Sequence, residues 1–96
     1  MAKGYWICFY RAIKDPEALA AYAKLAGPAI AAGGGTFLAR GTAAHAYEAG
    51  LLQRTVVIEF PGLAQAVQTH ESPAYQAALK ALGHGAERDL RFVEGV

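Results

Sequence analysis

Apolar runs separated by glycine and proline divide the chain into alternating strand and helix patterns. Residues 5–11 are almost continuously aromatic or β-branched, which is typical of a central strand covered on both faces. Residues 53–60 contain the run Thr55-Val56-Val57-Ile58, which carries the strongest β signal in the chain. A final strand is predicted at residues 88–94. The pattern thus indicates strands near both ends and in the middle of the chain.

A first helix is predicted to follow the first strand. Asp15 suits the N-cap and Pro16 the first helical position. The proline in the Gly27-Pro28 pair predicts a kink or a break, and the glycines at 33–35 end the helix. One buried helical face is indicated by the spacing of its apolar residues: Leu19, Tyr22, Ala23, Ala26 and Ile30.

The middle of the chain predicts a long hairpin and then two further helical segments. A second strand is expected from residue 36 to 40, with a bulge at Gly41, resuming at residues 44–47 before a turn at 48–50. Helices are predicted at residues 63–70 and 73–82, the second begun by Ser72-Pro73.

The element order β, α, β, β, α, β predicts an α+β domain of the ferredoxin-like type over residues 1–96. Right-handed connections place the first and third strands in the middle of a four-stranded antiparallel sheet with the helices on one face. The strands carry apolar residues on both sides, so the other face needs a cover. We therefore expect a homodimer that joins two sheets face to face.

Composition narrows the classes of partner. The net charge is +1 and no basic run is present, which argues against nucleic-acid binding. No uncharged apolar stretch approaches a membrane span, and the start of the chain lacks the pattern of a secretory signal, so a cytoplasmic protein is expected. The single cysteine, Cys8, cannot form an intrachain disulfide or a paired metal site. The glycine run follows a helix, the reverse of a phosphate loop, and we expect no metal and no cofactor.

Two charged residues on the predicted hairpin are the first candidates for a site. Arg40 and Glu59 lie among apolar residues, where an unpaired charge is costly, so we expect them on neighbouring strands within reach of one another or of a shared ligand. Arg40 could then hold a carboxylate, and Glu59 could move protons if burial raises its pKa. The alternative is a structural ion pair.

Histidine and aromatic residues extend this candidate site. His45 is the histidine best placed for acid–base chemistry, because a long hairpin could carry it to the mouth of a barrel. Tyr5 and Trp6 could line an aromatic ligand pocket, although aromatic residues in central strands also serve as core.

Several segments resemble a known family across nearly the whole chain: 3–7, 15–17 with Tyr22, 34–41, 54–61, 72–77 and 93–95. The sequence is similar to the family catalogued as domain of unknown function 1330, and the segment ending Ile58-Glu59-Phe60-Pro61 is the most specific part. The resemblance implies a dimeric α+β barrel and no established reaction. The wider superfamily includes haem-degrading and quinone-forming monooxygenases and muconolactone-isomerase-like enzymes, and a shared fold does not transfer their chemistry.

Three functions stay open at this point. The first is binding or conversion of a small, partly apolar carboxylic acid in the barrel cavity. The second is a non-catalytic dimeric module in which the charged pair is structural. The third, a cofactor-independent monooxygenase or isomerase, is less favoured because the chain contains no asparagine, which such relatives commonly use in the pocket.

Overall fold

A computed structural model describes residues 2–96 as one antiparallel sheet and three helices. The sheet order is β2-β3-β1-β4, which confirms the predicted α+β ferredoxin-like fold with the first and third strands central. The elements are β1 Gly4–Ile13, α1 Pro16–Ala32, β2 Thr36–Thr42, β3 Arg54–Phe60, α2 Leu63–Glu71, α3 Pro73–Leu82 and β4 Ala86–Glu94.

Helix α1 begins and ends where the sequence predicts, at Pro16 and Ala32. The Asp15 side chain accepts hydrogen bonds from the backbone N–H groups of Glu17 and Ala18, at 3.1 and 3.2 Å. The helix passes through Pro28 without a break, so of the two expected outcomes the break is excluded. Buried Ala26 and Ile30, one on each side of the proline, hold the helix against the core, and this packing outweighs one lost backbone hydrogen bond.

The hairpin after α1 also differs from its prediction. Strand β2 ends at Thr42, and residues 44–47 lie in an exposed loop instead of a resumed strand. The bulge falls between Phe37 and Ala39, whereas Gly41 pairs regularly with Thr55. The alanine-rich loop segment has little apolar surface to bury, so nothing holds it to the sheet.

The helices cover only one of the two faces of the sheet. Trp6, Cys8 and Tyr10 point from β1 towards the helices and are at most 4% exposed. The alternate residues Ile7 and Phe9 point to the opposite face, which none of the three helices covers. Phe9 is 42% exposed there, so this open face carries apolar surface in contact with solvent.

Candidate functional site

A cavity of about 40 Å³ lies between helix α1 and the covered face of the sheet. Its volume is enough for a few water molecules or one small polar group. Aromatic, aliphatic and cationic side chains share its wall: Trp6, Cys8, Tyr10, Tyr22, Ala23, Ala26, Gly27, Ile30, Phe37, Arg40, Arg54, Val56, Ile58 and Arg88.

Three strands each contribute one arginine to this cavity. Arg40 on β2 pairs with buried Val56, and Arg88 on β4 pairs with buried Tyr10. Directly paired residues of an antiparallel sheet share a face, so both arginines lie on the helix side. Arg54 lies two residues before Val56 on β3 and therefore takes the same face. The register of the sheet thus gathers three guanidinium groups at one place.

Aromatic rings support each of these guanidinium groups. The Cζ atom of Arg40 lies 4.2 Å from the centroid of the Phe37 ring. Arg54 and Arg88 lie on either side of Tyr10, with Cζ atoms 5.8 and 5.6 Å from its ring centroid. Cations at this range are attracted to the ring faces, which positions the arginines without neutralising their charge.

Arg88 is further fixed by a buried network of hydroxyl groups. Its Nη1 atom donates to the Tyr22 hydroxyl at 3.1 Å, and the hydroxyls of Tyr22 and Tyr75 lie 2.6 Å apart. Burial raises the pKa of Tyr75, so this phenol stays protonated. The same Nη1 atom lies 3.9 Å from Sγ of Cys8, whose pKa is also raised, chiefly by burial. The thiol is therefore a neutral part of the wall at physiological pH.

Within residues 2–96, none of the three cavity arginines has a carboxylate partner. The ion pairs of this part of the chain are Lys3–Glu59, Lys14–Glu87, His70–Glu71 and Arg91–Asp89. The Nε atom of Arg54 is buried and has no hydrogen-bond acceptor. A buried donor without a partner is costly, and it indicates a position where a ligand or water supplies the acceptor.

The structure does not bring Arg40 and Glu59 together, so the predicted pair was wrong. Arg40 shares the helix face with Val56, whereas Glu59 pairs with Thr36 on the open face. Glu59 instead binds Nζ of Lys3 at 3.1 Å and accepts a hydrogen bond from the Tyr5 hydroxyl at 3.0 Å. These hydrogen bonds, that of Lys3 first, hold the pKa of Glu59 below its usual value, the opposite of what a neutral-pH base requires.

The other predicted residues are dispersed. Trp6 lines the cavity and packs edge-on against Tyr75, with ring centroids 4.8 Å apart, so it is also core. Tyr5 lies on the open face with Glu59, and His45 lies exposed in the loop after β2. Of the predicted set, only Arg40 and Trp6 reach the cavity.

Sequence reasoning missed Arg54, Arg88 and Tyr22. A signal for the two arginines was present, because each lies two residues before a position of the same strand that packs into the core, Val56 and Leu90. An arginine whose place in the strand alternation points its side chain to the core is unusual, and it marks a candidate site. The apolar spacing of α1 predicts Tyr22 on the buried stripe, where its ring does lie, but it gives no sign of the hydrogen bonds that the hydroxyl makes.

Two general features of the described residues complete this picture. No helix within residues 2–96 has the length and apolar character needed to cross a membrane. The same residues contain no cluster of three or more histidine, cysteine, aspartate or glutamate side chains arranged for a metal ion.

Comparisons with known proteins give a family and a fold. The family model described as Domain of unknown function (DUF1330) matches residues 3–96. The RPA0582 protein of unknown function from Rhodopseudomonas palustris has a similar structure, with a TM-score of 0.77 and 19% identity over 99% of this chain and 83% of that chain. No curated protein matches the sequence.

Two further solved structures are similar in fold. One is a dimeric ferredoxin-like protein of unknown function from Thermobifida fusca, with a TM-score of 0.66 and 20% identity over 99% of this chain and 92% of that chain. The other, from Caulobacter crescentus, is a proposed antibiotic biosynthesis monooxygenase, with a TM-score of 0.60 and 14% identity over 99% and 90% of the two chains. At these identities the likeness establishes the fold and leaves the chemistry open.

Proposed function

We propose, on the premise that this chain belongs to the DUF1330 family, that it binds a small organic acid in the cavity between α1 and the sheet. The observation that carries this proposal is the convergence of Arg40, Arg54 and Arg88 on one cavity without a carboxylate partner among residues 2–96. Arginine binds carboxylates through paired, charge-assisted hydrogen bonds.

The rest of the wall supports a ligand with an apolar part. Ala26, Ile30 and Ile58 line the cavity beside the arginines and offer no hydrogen bonds. A pocket that combines a mostly apolar wall with a few convergent polar groups is the usual form of a small-molecule site. Glu59 and His45, the expected acid–base residues, are not among the lining residues, so we assign them no step in this proposal.

The experiment that tests this function is a screen of small carboxylic acids by thermal stabilisation, followed by titration calorimetry. A ligand at about 100 times its Kd should stabilise the fold by about 2.7 kcal/mol. Arg54→Gln should abolish that shift, because it removes the guanidinium whose Nε atom lacks an acceptor. Lys80→Gln, on exposed α3 surface, removes the same charge and should bind as the parent does.

A second candidate function is a non-catalytic dimeric module, and the exposed apolar face of the sheet favours it. We propose that a second copy covers this face, as expected for a large apolar surface in a small protein. The solved ferredoxin-like protein from Thermobifida fusca, which is dimeric, supports the assembly. A chain that forms a stable dimer and binds none of the screened acids would favour this second function.

A further inference from the structure

We infer that the cavity takes a small dianion, a dicarboxylate or a phosphate monoester, in preference to a monocarboxylate. This inference rests on the proposed function and deepens it by naming the class of acid. It is carried by the number of guanidinium groups, by the hydrogen-bond donors they leave free and by the size of the cavity.

The first step concerns charge. Arginine stays protonated at every physiological pH, so the three arginines place three positive charges around one cavity. Within residues 2–96 no carboxylate forms an ion pair with any of them. A monoanion would neutralise one charge and leave the other two partly desolvated and repelling each other. A dianion neutralises two of the three charges and leaves a single excess charge.

The second step concerns hydrogen-bond donors. Each guanidinium carries five N–H donors, and Arg88 commits one nitrogen to Tyr22 and Cys8. Arg54 keeps a buried Nε donor without an acceptor, and Arg40 is exposed, so its donors face the entrance. A single carboxylate has two oxygens, which three arginines would have to share. Separate anionic groups, or the three oxygens of a phosphate, match this arrangement better.

The third step concerns size. The cavity volume of about 40 Å³ holds one anionic group and little more. The remainder of a ligand must therefore extend towards the entrance, where Arg40 lies over the Phe37 ring. A short ligand with an anionic group at each end would bind Arg54 and Arg88 inside and Arg40 outside. A short alkyl phosphate would concentrate both charges on the inner pair.

Calorimetry with acids of equal chain length tests the inference directly. Butyrate, succinate and ethyl phosphate are titrated into the intact protein at pH 8, where the last two are dianions. We expect at least one dianion to bind about tenfold tighter than butyrate, since it gains at least one further charge-assisted contact. Raising the salt concentration should weaken the dianion more than butyrate. Tighter binding of succinate than of ethyl phosphate would identify the ligand class as a dicarboxylate. Tighter binding of ethyl phosphate would identify it as a phosphate ester.

Three variants separate a preference that belongs to the cavity from a general effect of net charge. Arg40→Gln removes the exposed guanidinium, and Lys80→Gln removes one positive charge from α3. A succinate preference should fall several-fold in Arg40→Gln and persist in Lys80→Gln. An ethyl phosphate preference should fall in Arg54→Gln in the same way, because the inner pair holds the phosphate.

Three outcomes overturn the inference, and they are distinguishable. Equal binding of butyrate and both dianions refutes the preference for a dianion while the proposed acid-binding function stands. If the preference for a dianion falls as much in Lys80→Gln as in the cavity variant, it arises from the net charge of the protein and not from the cavity. Absence of binding by all three probes refutes the proposed function and the inference with it.

Discussion

The hydroxyl oxygens of Tyr22 and Tyr75 lie 2.6 Å apart, where helix α1 packs against α3. The two positions are not equivalent. Tyr22 also accepts a hydrogen bond from Arg88 at 3.1 Å, whereas Tyr75 is 0% exposed and its shortest hydrogen bond is to Tyr22. Tyr22 therefore connects the helix packing to the cavity.

This asymmetry predicts unequal costs for removing the two hydroxyls. Tyr75→Phe leaves Tyr22 with Arg88 and should lower the free energy of unfolding by about 1 kcal/mol. Tyr22→Phe leaves a buried Tyr75 hydroxyl and an Arg88 donor unpaired, and should cost about 2 to 3 kcal/mol. Urea unfolding of both variants and of the double variant, at one protein concentration, measures the coupling. Equal costs for the single variants would contradict this account.

A second prediction concerns pH and Glu59. The hydrogen bond from Lys3, and then that from Tyr5, hold the pKa of Glu59 below its usual value in the folded state. A lowered folded pKa stabilises the fold above the unfolded pKa of about 4.3, and this contribution is lost as pH falls through the folded pKa. Glu59→Gln should therefore be less stable than the parent at neutral pH.

The measurement is urea unfolding of parent and Glu59→Gln from neutral pH to about pH 3, below the usual glutamate pKa. The difference in unfolding free energy should shrink as the carboxylate is protonated. Lys14 and Glu87 form an exposed ion pair of similar length, 3.0 Å, so Glu87→Gln serves as the matched control. A difference for Glu59→Gln that stays constant with pH would show that the carboxylate makes no favourable folded-state contact.

Most of the fold could be predicted because its signals are local. Asp15 with Pro16, and Ser72 with Pro73, set helix starts through their own side chains, and the structure contains both caps. The end of β2 and the continuity of α1 could not be predicted in this way. Each depends on what the segment packs against, and Pro28 stays helical because Ala29 and Ile30 are buried.

The site was harder to predict because a single residue decides it. Without the bulge between Phe37 and Ala39, continued pairing would set Arg40 opposite Thr55, on the open face that also carries Glu59. The extra residue at Leu38 turns Arg40 to the helix face, where Arg54 and Arg88 also lie. A bulge at Gly41, as the sequence suggests, would come too late in the strand to invert Arg40. Arg40 therefore lies at the cavity, while its expected partner Glu59 lies on the other face of the sheet.

A third prediction concerns the proposed dimer. Ile7 and its partner Val57 lie at the centre of the open face, so a charge there would be buried by a second copy. The parent chain should have twice the chain mass of 10.1 kDa by light scattering at micromolar concentration, and Ile7→Glu should be monomeric or unfolded. Val67→Glu, at a 44% exposed position on α2, should leave the dimer intact. A folded, monomeric parent would contradict the assembly.

The last prediction concerns Gly27, which lies within α1 on the wall of the cavity. Glycine inside a helix costs about 1 kcal/mol relative to alanine, so a reason for it is expected. A side chain at this position would meet no atom within 4 Å, which means that it would extend into open space at the cavity. Pro28 offers a competing reason, because proline crowds the Cβ atom of the residue before it.

Labelling of Cys8 separates the two explanations without a ligand. Cys8 is 3% exposed and lines the same cavity, so a small thiol reagent must reach it through the cavity that Gly27 also lines, or wait for local opening. Gly27→Leu should slow labelling several-fold, whereas Ala21→Leu, on exposed α1 surface, should not. The free energies of unfolding of both variants are measured as well, so that the Cys8 labelling rates can be corrected for any change in stability. If Gly27→Leu labels at the corrected parental rate, Gly27 accommodates Pro28 and does not keep the cavity open.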